Sequence, residues 1–240
     1  MDTLVIVTGG SAGLGRALLA SAPPGAHRVD VSRSGTDLPD TDHLAADLTD
    51  PAGWAAVGER LTALVTRRAW DRITLLHNAG TLEPIGFAGE VDAEAYTRNV
   101  LLNSAAGQVL GHRFLAAVRD LDVRRELVLI SSGAARSAYP GWSAYGAGKA
   151  ACDQWVRTVG AEQTHRGGVL VLSVAPGVVA TGMQELIRDT DPRDFPQVDR
   201  FHDLHTRGQL VEPDVAADAL WALLDDPGVA TGEVVDLRSR

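Results

Sequence analysis

A chain of 240 residues is long enough for one substantial hydrophobic core and too short for more than two small domains. Apolar residues at 45% and charged residues at 22% are the balance of a soluble globule, and a net charge of -9 argues against a nucleic-acid or anionic-membrane surface. The single cysteine, Cys152, excludes an intramolecular disulfide and a thiolate metal cluster, and no apolar run reaches the ~18 residues that span a bilayer. Met1 leads straight into an apolar run without a basic leader, so a cytoplasmic location is expected.

The apolar run at residues 4–7 has the character of a strand buried on both faces. It enters Thr8-Gly9-Gly10-Ser11-Ala12-Gly13-Leu14-Gly15 and then a helix-like stretch at residues 16–20. Strand, glycine turn and helix in that order let backbone approach a pyrophosphate resting on the helix N-terminus. A second strand is predicted at residues 28–33. An acidic residue at its end would take the ribose 2′-hydroxyl of NAD, but here the strand ends in Ser32-Arg33. A hydroxyl and a guanidinium suit the 2′-phosphate of NADP instead. Asp30 shares a face with Ser32 but stands two residues earlier, too deep for the ribose. Residues 44–48 read as a third strand whose Asp47 can accept from an adenine amino group.

Asp50-Pro51 pairs an N-cap with proline at the first helical position, and Trp54, Val57, Leu61, Leu64 and Val65 follow at core spacing. Residues 73–80 read as strand, then turn. Asn78 can secure that turn through its amide, while Ala79 and Gly80 admit a flat ring beside the backbone. A long helix is predicted from 92 to about 118, with Asn103 inside it. Amides are unfavourable in helix interiors, so Asn103 is expected to bind a water or to kink the helix. A strand at 126–130 feeds Ser131 and Ser132, and a helix follows from 145 to about 163. Trp155 and Val159 on that helix suit packing against a second subunit. The strand at 168–174 ends at Ala175-Pro176-Gly177, with Thr181 just beyond to bond a cofactor carboxamide or pyrophosphate. Residues 183–210 lack a clean period; Met183, Leu186, Ile187, Phe195, Phe201 and Leu204 anchor what reads as a lid over a substrate. A helix at 213–224 and a strand at 232–237 close the chain. Seven strands alternating with six helices predict an α/β fold: one doubly wound Rossmann domain over 1–240, its sheet mainly parallel with helices on both faces.

Ser132, Tyr145 and Lys149 carry the chemistry. Residues four apart share a helix face, so Tyr145 and Lys149 can point into one cavity. Lys149 is the only lysine among the 22 basic side chains, a placement that itself suggests selection. A phenol alone is a poor acid-base catalyst near neutrality; a neighbouring ammonium favours its phenolate and brings it into range. Ser132 can then hold a carbonyl oxygen while Tyr145 gives it a proton.

Thr8-Gly9-x3-Gly13-x-Gly15, Asn78-Ala79-Gly80, Asn103, Ser132, Tyr145-x3-Lys149 and Pro176-Gly177-x3-Thr181 stand in the order and spacing of the short-chain dehydrogenase/reductase family, which nearly the whole chain resembles. The resemblance implies a catalytic tetrad of Asn103, Ser132, Tyr145 and Lys149, with Asn103 holding a water that relays protons to the lysine. It implies that Lys149 and Tyr145 also grip the cofactor, alongside Gly9, Ser11, Gly13, Leu14, Gly15, Ser32, Arg33, Asp47, Leu48, Asn78, Ala79, Gly80, Pro176, Gly177, Val179, Thr181 and Met183. A narrower likeness is to sepiapterin reductases and bacterial benzil reductases, seen in residues 140–145, Thr181-Gly182-Met183-Gln184, residues 208–211 and Gly232-Glu233-Val234-Val235-Asp236. In sepiapterin reductases an aspartate at the position of Asp236 anchors the pterin, so Ser132, Tyr145, Gly177 and Asp236 are the implied substrate contacts. Two positions depart from the family pattern: His77 replaces an asparagine, and Ala12 stands where many NADP-preferring members carry a basic residue. The expected activity is NADPH-dependent reduction of one carbonyl of a small 1,2-diketone, without a metal, by a homodimer or homotetramer. Alcohol oxidation, 3-oxoacyl reduction and a non-catalytic dinucleotide-binding regulator are the alternatives.

Overall fold

A computed structural model of the chain describes residues 1–239. Its strands are β1 (Thr3–Thr8), β2 (His27–Ser32), β3 (Thr41–Ala45), β4 (Arg72–His77), β5 (Arg124–Ile130), β6 (Leu170–Ala175) and β7 (Val234–Asp236). They form one sheet in the order β3-β2-β1-β4-β5-β6-β7, and every neighbouring pair is parallel. The period-2 alternation of β1 shows why its apolar run is continuous. Leu4 and Ile6 enter one core, and Val5 and Val7 enter the other.

The first core is covered by α2 (Pro51–Thr66), α4 (Gly107–Val118) and α5 (Ser143–Arg166); the second by α1 (Gly13–Ala20) and α8 (Pro213–Asp225). The predicted doubly wound architecture is therefore present. Asp50 caps α2 as its sequence implied, accepting from Ala52 N at 2.8 Å ahead of Pro51.

Several boundaries differ from the sequence expectation. β3 ends at Ala45, so Asp47 and Leu48 lie in the following turn. No helix links β2 to β3, because the eight intervening residues contain Gly35 and Pro39. Five helical crossovers thus replace the expected six helices, and two further short helices lie in the 183–210 segment. The long helix predicted at 92–118 is continuous but changes its winding: α3 (Ala93–Val100) passes through a π-helical stretch, Leu101–Ala106, before α4. Asn103 sits in that stretch, so the expected local distortion takes the form of a π-turn. Val159 is buried and Trp155 half-buried. Both pack into the first core, Trp155 against the bare backbone at Gly111. Among the described residues no helix is long and apolar enough to cross a membrane.

At the N-terminal edge of the sheet a buried ion network ties β4, β5 and α8 together. Arg72 (3% exposed) forms a two-bond fork with Glu126 (0% exposed) at 2.9 and 3.1 Å and reaches Asp225 at 3.0 Å. Thr74 and Arg124 add donors to the same carboxylate at 2.6 Å each. Removing one partner of such a pair strands the other charge. Glu126→Gln is expected to lower stability by about 3 kcal/mol, or roughly 6–12 °C in Tm. Thermal unfolding measures this, and an unchanged Tm would show that Asp225 alone satisfies Arg72.

Candidate active site

The sheet reverses its winding between β1 and β4, where an open α/β sheet forms a crevice at the carboxyl ends of its strands. A cleft of about 860 Å3 opens there. One end is the glycine turn. Gly13 has φ +53 beside Thr181, and a Cβ on Gly15 would overlap the Gly9 carbonyl, so backbone stands bare at the start of α1. Asp30 does not face the cleft: its Oδ1 accepts from Gly10 N at 2.9 Å and its Oδ2 from Ser32 Oγ at 2.7 Å, in full burial. The depth argument for Asp30 is borne out geometrically. Ser32 Oγ also accepts from Gly35 N at 3.0 Å, so its hydroxyl proton is already committed. Arg33, exposed and lining the cleft, is the donor left at the end of β2. Thr49, mainly through its backbone N–H, holds the Asp47 carboxyl below the usual carboxylate range, with Arg33 and Arg98 adding to the effect.

The next wall is the turn after β4. Thr8 Oγ1 accepts from Asn78 N and Ala79 N, both at 3.1 Å, and lies 3.0 Å from His77 Nδ1. A hydroxyl with both lone pairs used has one proton left, which must go to Nδ1; His77 is therefore neutral with its hydrogen on Nε2. Full burial, and then the nearby Lys149 charge, lower its pKa from 6.5 to about 3. Asn78 Nδ2 donates to the carbonyls of Thr8 and Gly9, securing the turn as its sequence suggested.

At the reaction end, Tyr145 and Lys149 lie one helical turn apart on α5, both buried and both lining the cleft. Lys149 Nζ is 5.7 Å from the Tyr145 ring centroid and donates to the Ile130 carbonyl at 2.8 Å. Ser132 Oγ accepts from Ala134 N at 3.2 Å, which leaves its hydrogen for an acceptor in the cleft. Asn103 does not line the cleft. Its Nδ2 donates to Thr81 O and Asn99 Oδ1 at 2.7 and 2.8 Å, and its Oδ1 accepts from Thr81 N. Its backbone carbonyl accepts from Cys152 Sγ at 3.3 Å; burial pushes that thiol's pKa up, as befits a packed donor.

The 183–210 segment roofs this end. It folds as α6 (Gly182–Arg188) and α7 (Val198–Thr206), and a bridge between Val179 and Val211 closes its base. Its Phe195 stacks on Trp142 at 4.5 Å, and Trp142 meets Tyr145 edge-on at 5.7 Å. Ile187, Val198 and Phe201 complete an apolar cluster that contains Tyr145 itself.

Of the residues that the sequence singled out, Gly15, Asn103 and Asp236 stand outside the cleft wall, and the other predicted site residues line it together. Asp236 lies beside it with both carboxylate oxygens on Arg238 and one also on Arg136. Sequence reasoning missed Asn99, whose amide donates to Glu83 O at 2.8 Å and pairs with Asn103 to hold residues 81–83. Two amides four apart inside one helix were the available signal. It also missed Asp153, buried, whose Oδ1 accepts from Ser131 and Ser173 at 2.6 Å each. A carboxylate amid the apolar face Cys152, Val156 and Val159 was the sign.

Comparison with known proteins agrees with this geometry. The short chain dehydrogenase family model matches residues 3–192. A benzil reductase, (S)-benzoin forming, of Bacillus subtilis is 35% identical over 240 residues, covering 98% of each chain. A sepiapterin reductase of Mus musculus is 31% identical over 251 residues, covering 96% of this chain and 95% of that one. Among solved structures, the KRED1-Pglu enzyme superposes with a TM-score of 0.82 at 29% identity, over 98% of this chain and 100% of the other.

His77 supplies a pH test of the site's scaffold. Its folded pKa of about 3 lies below the ordinary 6.5, so between those values the unfolded chain binds more protons and stability falls as pH falls. Urea unfolding from pH 7 to 4.5 should show a component of up to about 1.4 kcal/mol per pH unit that His77→Asn removes. A constant stability difference between the two proteins across that range would show that His77 is not buried neutral.

Proposed function

The chain belongs to the short-chain dehydrogenase family, and we propose that within it this protein is an NADPH-dependent reductase of small 1,2-diketones, close in activity to the benzil and sepiapterin reductases it resembles. The observation that carries this reading is the aromatic wall of Tyr139, Trp142 and Phe201 set against Tyr145 and Ser132 in one cleft. A wall of aromatic rings favours a flat, apolar carbonyl compound over an extended carrier-bound chain. A second feature supports carbonyl reduction over regulation by bound dinucleotide: Ser132, Tyr145 and Lys149 line one cleft, and Asn103 stands with Lys149 around Gly80.

The residues fit a dinucleotide. Bare backbone at Gly9 and Gly13 suits a pyrophosphate, and Arg33 with no carboxylate facing the ribose suits a 2′-phosphate. When bound, the reduced nicotinamide supplies a hydride to the carbonyl carbon. Ser132 Oγ donates its free hydrogen to the carbonyl oxygen and orients it. Tyr145 gives the same oxygen a proton as negative charge develops there. Lys149 spends one N–H on Ile130 O, and its remaining two are free to favour the phenolate and to hold a ribose hydroxyl. Asn103 keeps the π-turn and residues 81–83 in register behind the lysine. Half-buried Leu101, Val109 and Leu115 along the α3–α4 rod, with half-buried Trp155 on α5, support assembly as a homodimer or homotetramer.

NADPH consumption against benzil, sepiapterin, an aliphatic 1,2-diketone and a 3-oxoacyl thioester tests the substrate class. Turnover of the thioester in preference to every diketone would overturn it. Tyr145→Phe is expected to bind NADPH normally and to lose about 10^2- to 10^4-fold in kcat; retained turnover would sink the proton-donor role. Arg33→Ala should weaken NADPH far more than NADH in a fluorescence titration of both, whereas equal losses would place the 2′-phosphate elsewhere.

A further inference from the structure

The Asp236 carboxylate is saturated within the protein. Its Oδ1 accepts from the backbone N and Nε of Arg238 at 3.1 and 2.9 Å. Its Oδ2 accepts from Arg238 at 2.6 Å and from Arg136 at 3.3 Å. Only 14% of its side chain is exposed, against 50% for Arg238. The group that the pair presents to the cleft is the guanidinium, since Arg238 lines the cleft and Asp236 does not.

Two glycines border it, and Gly177 makes room for its stem. A Cβ on Gly177 would touch Arg238 Cγ and Cδ at 3.3 and 3.4 Å, and one on Gly133 would lie 4.0 Å from an Arg238 terminal nitrogen. Gly133 directly follows Ser132. The guanidinium therefore lies near the backbone just after Ser132, and both residues line the same cleft. A guanidinium carries five N–H donors, and the fork to Asp236 occupies two of them. Three remain, fixed in direction by the fork, on a half-exposed side chain that lines the cleft. With two arginines on one carboxylate, the local charge is also net positive.

We propose that Arg238 is the specificity-determining residue of the substrate site, donating to a second oxygen on the substrate adjacent to the carbonyl being reduced, and that Asp236 positions it without touching substrate. This rests on the carbonyl-reductase reading and narrows it. The site takes a compound with two neighbouring oxygen acceptors, and offers no free carboxylate to an amino-pyrimidine ring.

The test compares benzil with deoxybenzoin, which keeps both rings and one carbonyl but replaces the second carbonyl by a methylene. In Arg238→Met, the ratio of kcat/KM for benzil to that for deoxybenzoin should fall about 10- to 100-fold, chiefly through KM for benzil, as expected for loss of a charge-assisted hydrogen bond. Asp236→Asn should shift the ratio the same way by less, and Arg238→Lys should restore part of it. An unchanged ratio, whether both substrates suffer equally or neither does, overturns the proposal. If the wild-type protein reduces neither ketone, the carbonyl-reductase reading fails separately. Calorimetric binding of both ketones to the NADPH-saturated wild type and Arg238→Met then decides the role of Arg238, and no selective loss of benzil affinity overturns it.

Discussion

The site depends on how α5 is fastened across the ends of β5 and β6. Two side chains one turn apart do this. Lys149 donates to the last carbonyl of β5, and Asp153 accepts from the hydroxyls of Ser131 and Ser173, one after β5 and one within β6. Each bond is buried, so each group would be left without water if its partner moved. An orphaned hydroxyl in such a place costs about 1–3 kcal/mol. The fastening makes the catalytic spacing a property of the sheet: Ser132 rides on β5, Tyr145 on α5, and their separation cannot drift without breaking the Asp153 clamp.

A second fastening sets the opposite wall. Thr8, at the end of β1, takes two backbone N–H groups from the turn after β4 and gives its proton to His77. The histidine thus works as a neutral acceptor beneath the cleft, close enough to Lys149 for the ammonium to oppose its protonation. Asn99 and Asn103 continue the wall by holding residues 81–83 against the π-turn. The departure of His77 from the family's asparagine is accommodated because what Thr8 requires is an acceptor.

The parts of this arrangement that could be read from sequence are the local ones. Tyr145 and Lys149 declare themselves by helical spacing, the glycine turn by its place between strand and helix, and the second strand by Ser32-Arg33 at its end. The fold class followed from alternation of period 2 and period 3.6, and the strands fell within a few residues of their predicted bounds. Asp153 and Arg238 were not legible in the same way. Asp153 finds its partners 22 and 20 positions away, and Arg238 is significant only because β7 sets it beside Gly133 and Gly177. Trp155 is a related case: the intrachain partner of an apolar side chain on an outer helix shows only when Gly111 on the neighbouring helix is seen to receive part of its ring.

The division between fixed and variable parts follows from which core each belongs to. The glycine turn, the turn after β4 and the fastening of α5 are held by the sheet and its two main cores. The roof is a third cluster, in which Phe195 and Phe201, from the segment pinned at Val179 and Val211, pack on Trp142, and Trp142 meets Tyr145 at the start of α5. Changes in that segment alter the shape offered to substrate while leaving Asp153 and Lys149 undisturbed. Just after the short strand β7, Arg238 adds a cation held by its own carboxylate, which sits on β7. In a protein of net charge -9, a half-exposed guanidinium in the wall of a cleft that also carries Tyr139, Trp142 and Phe201 is a selective element, because its carboxylate partner fixes the direction of its remaining donors.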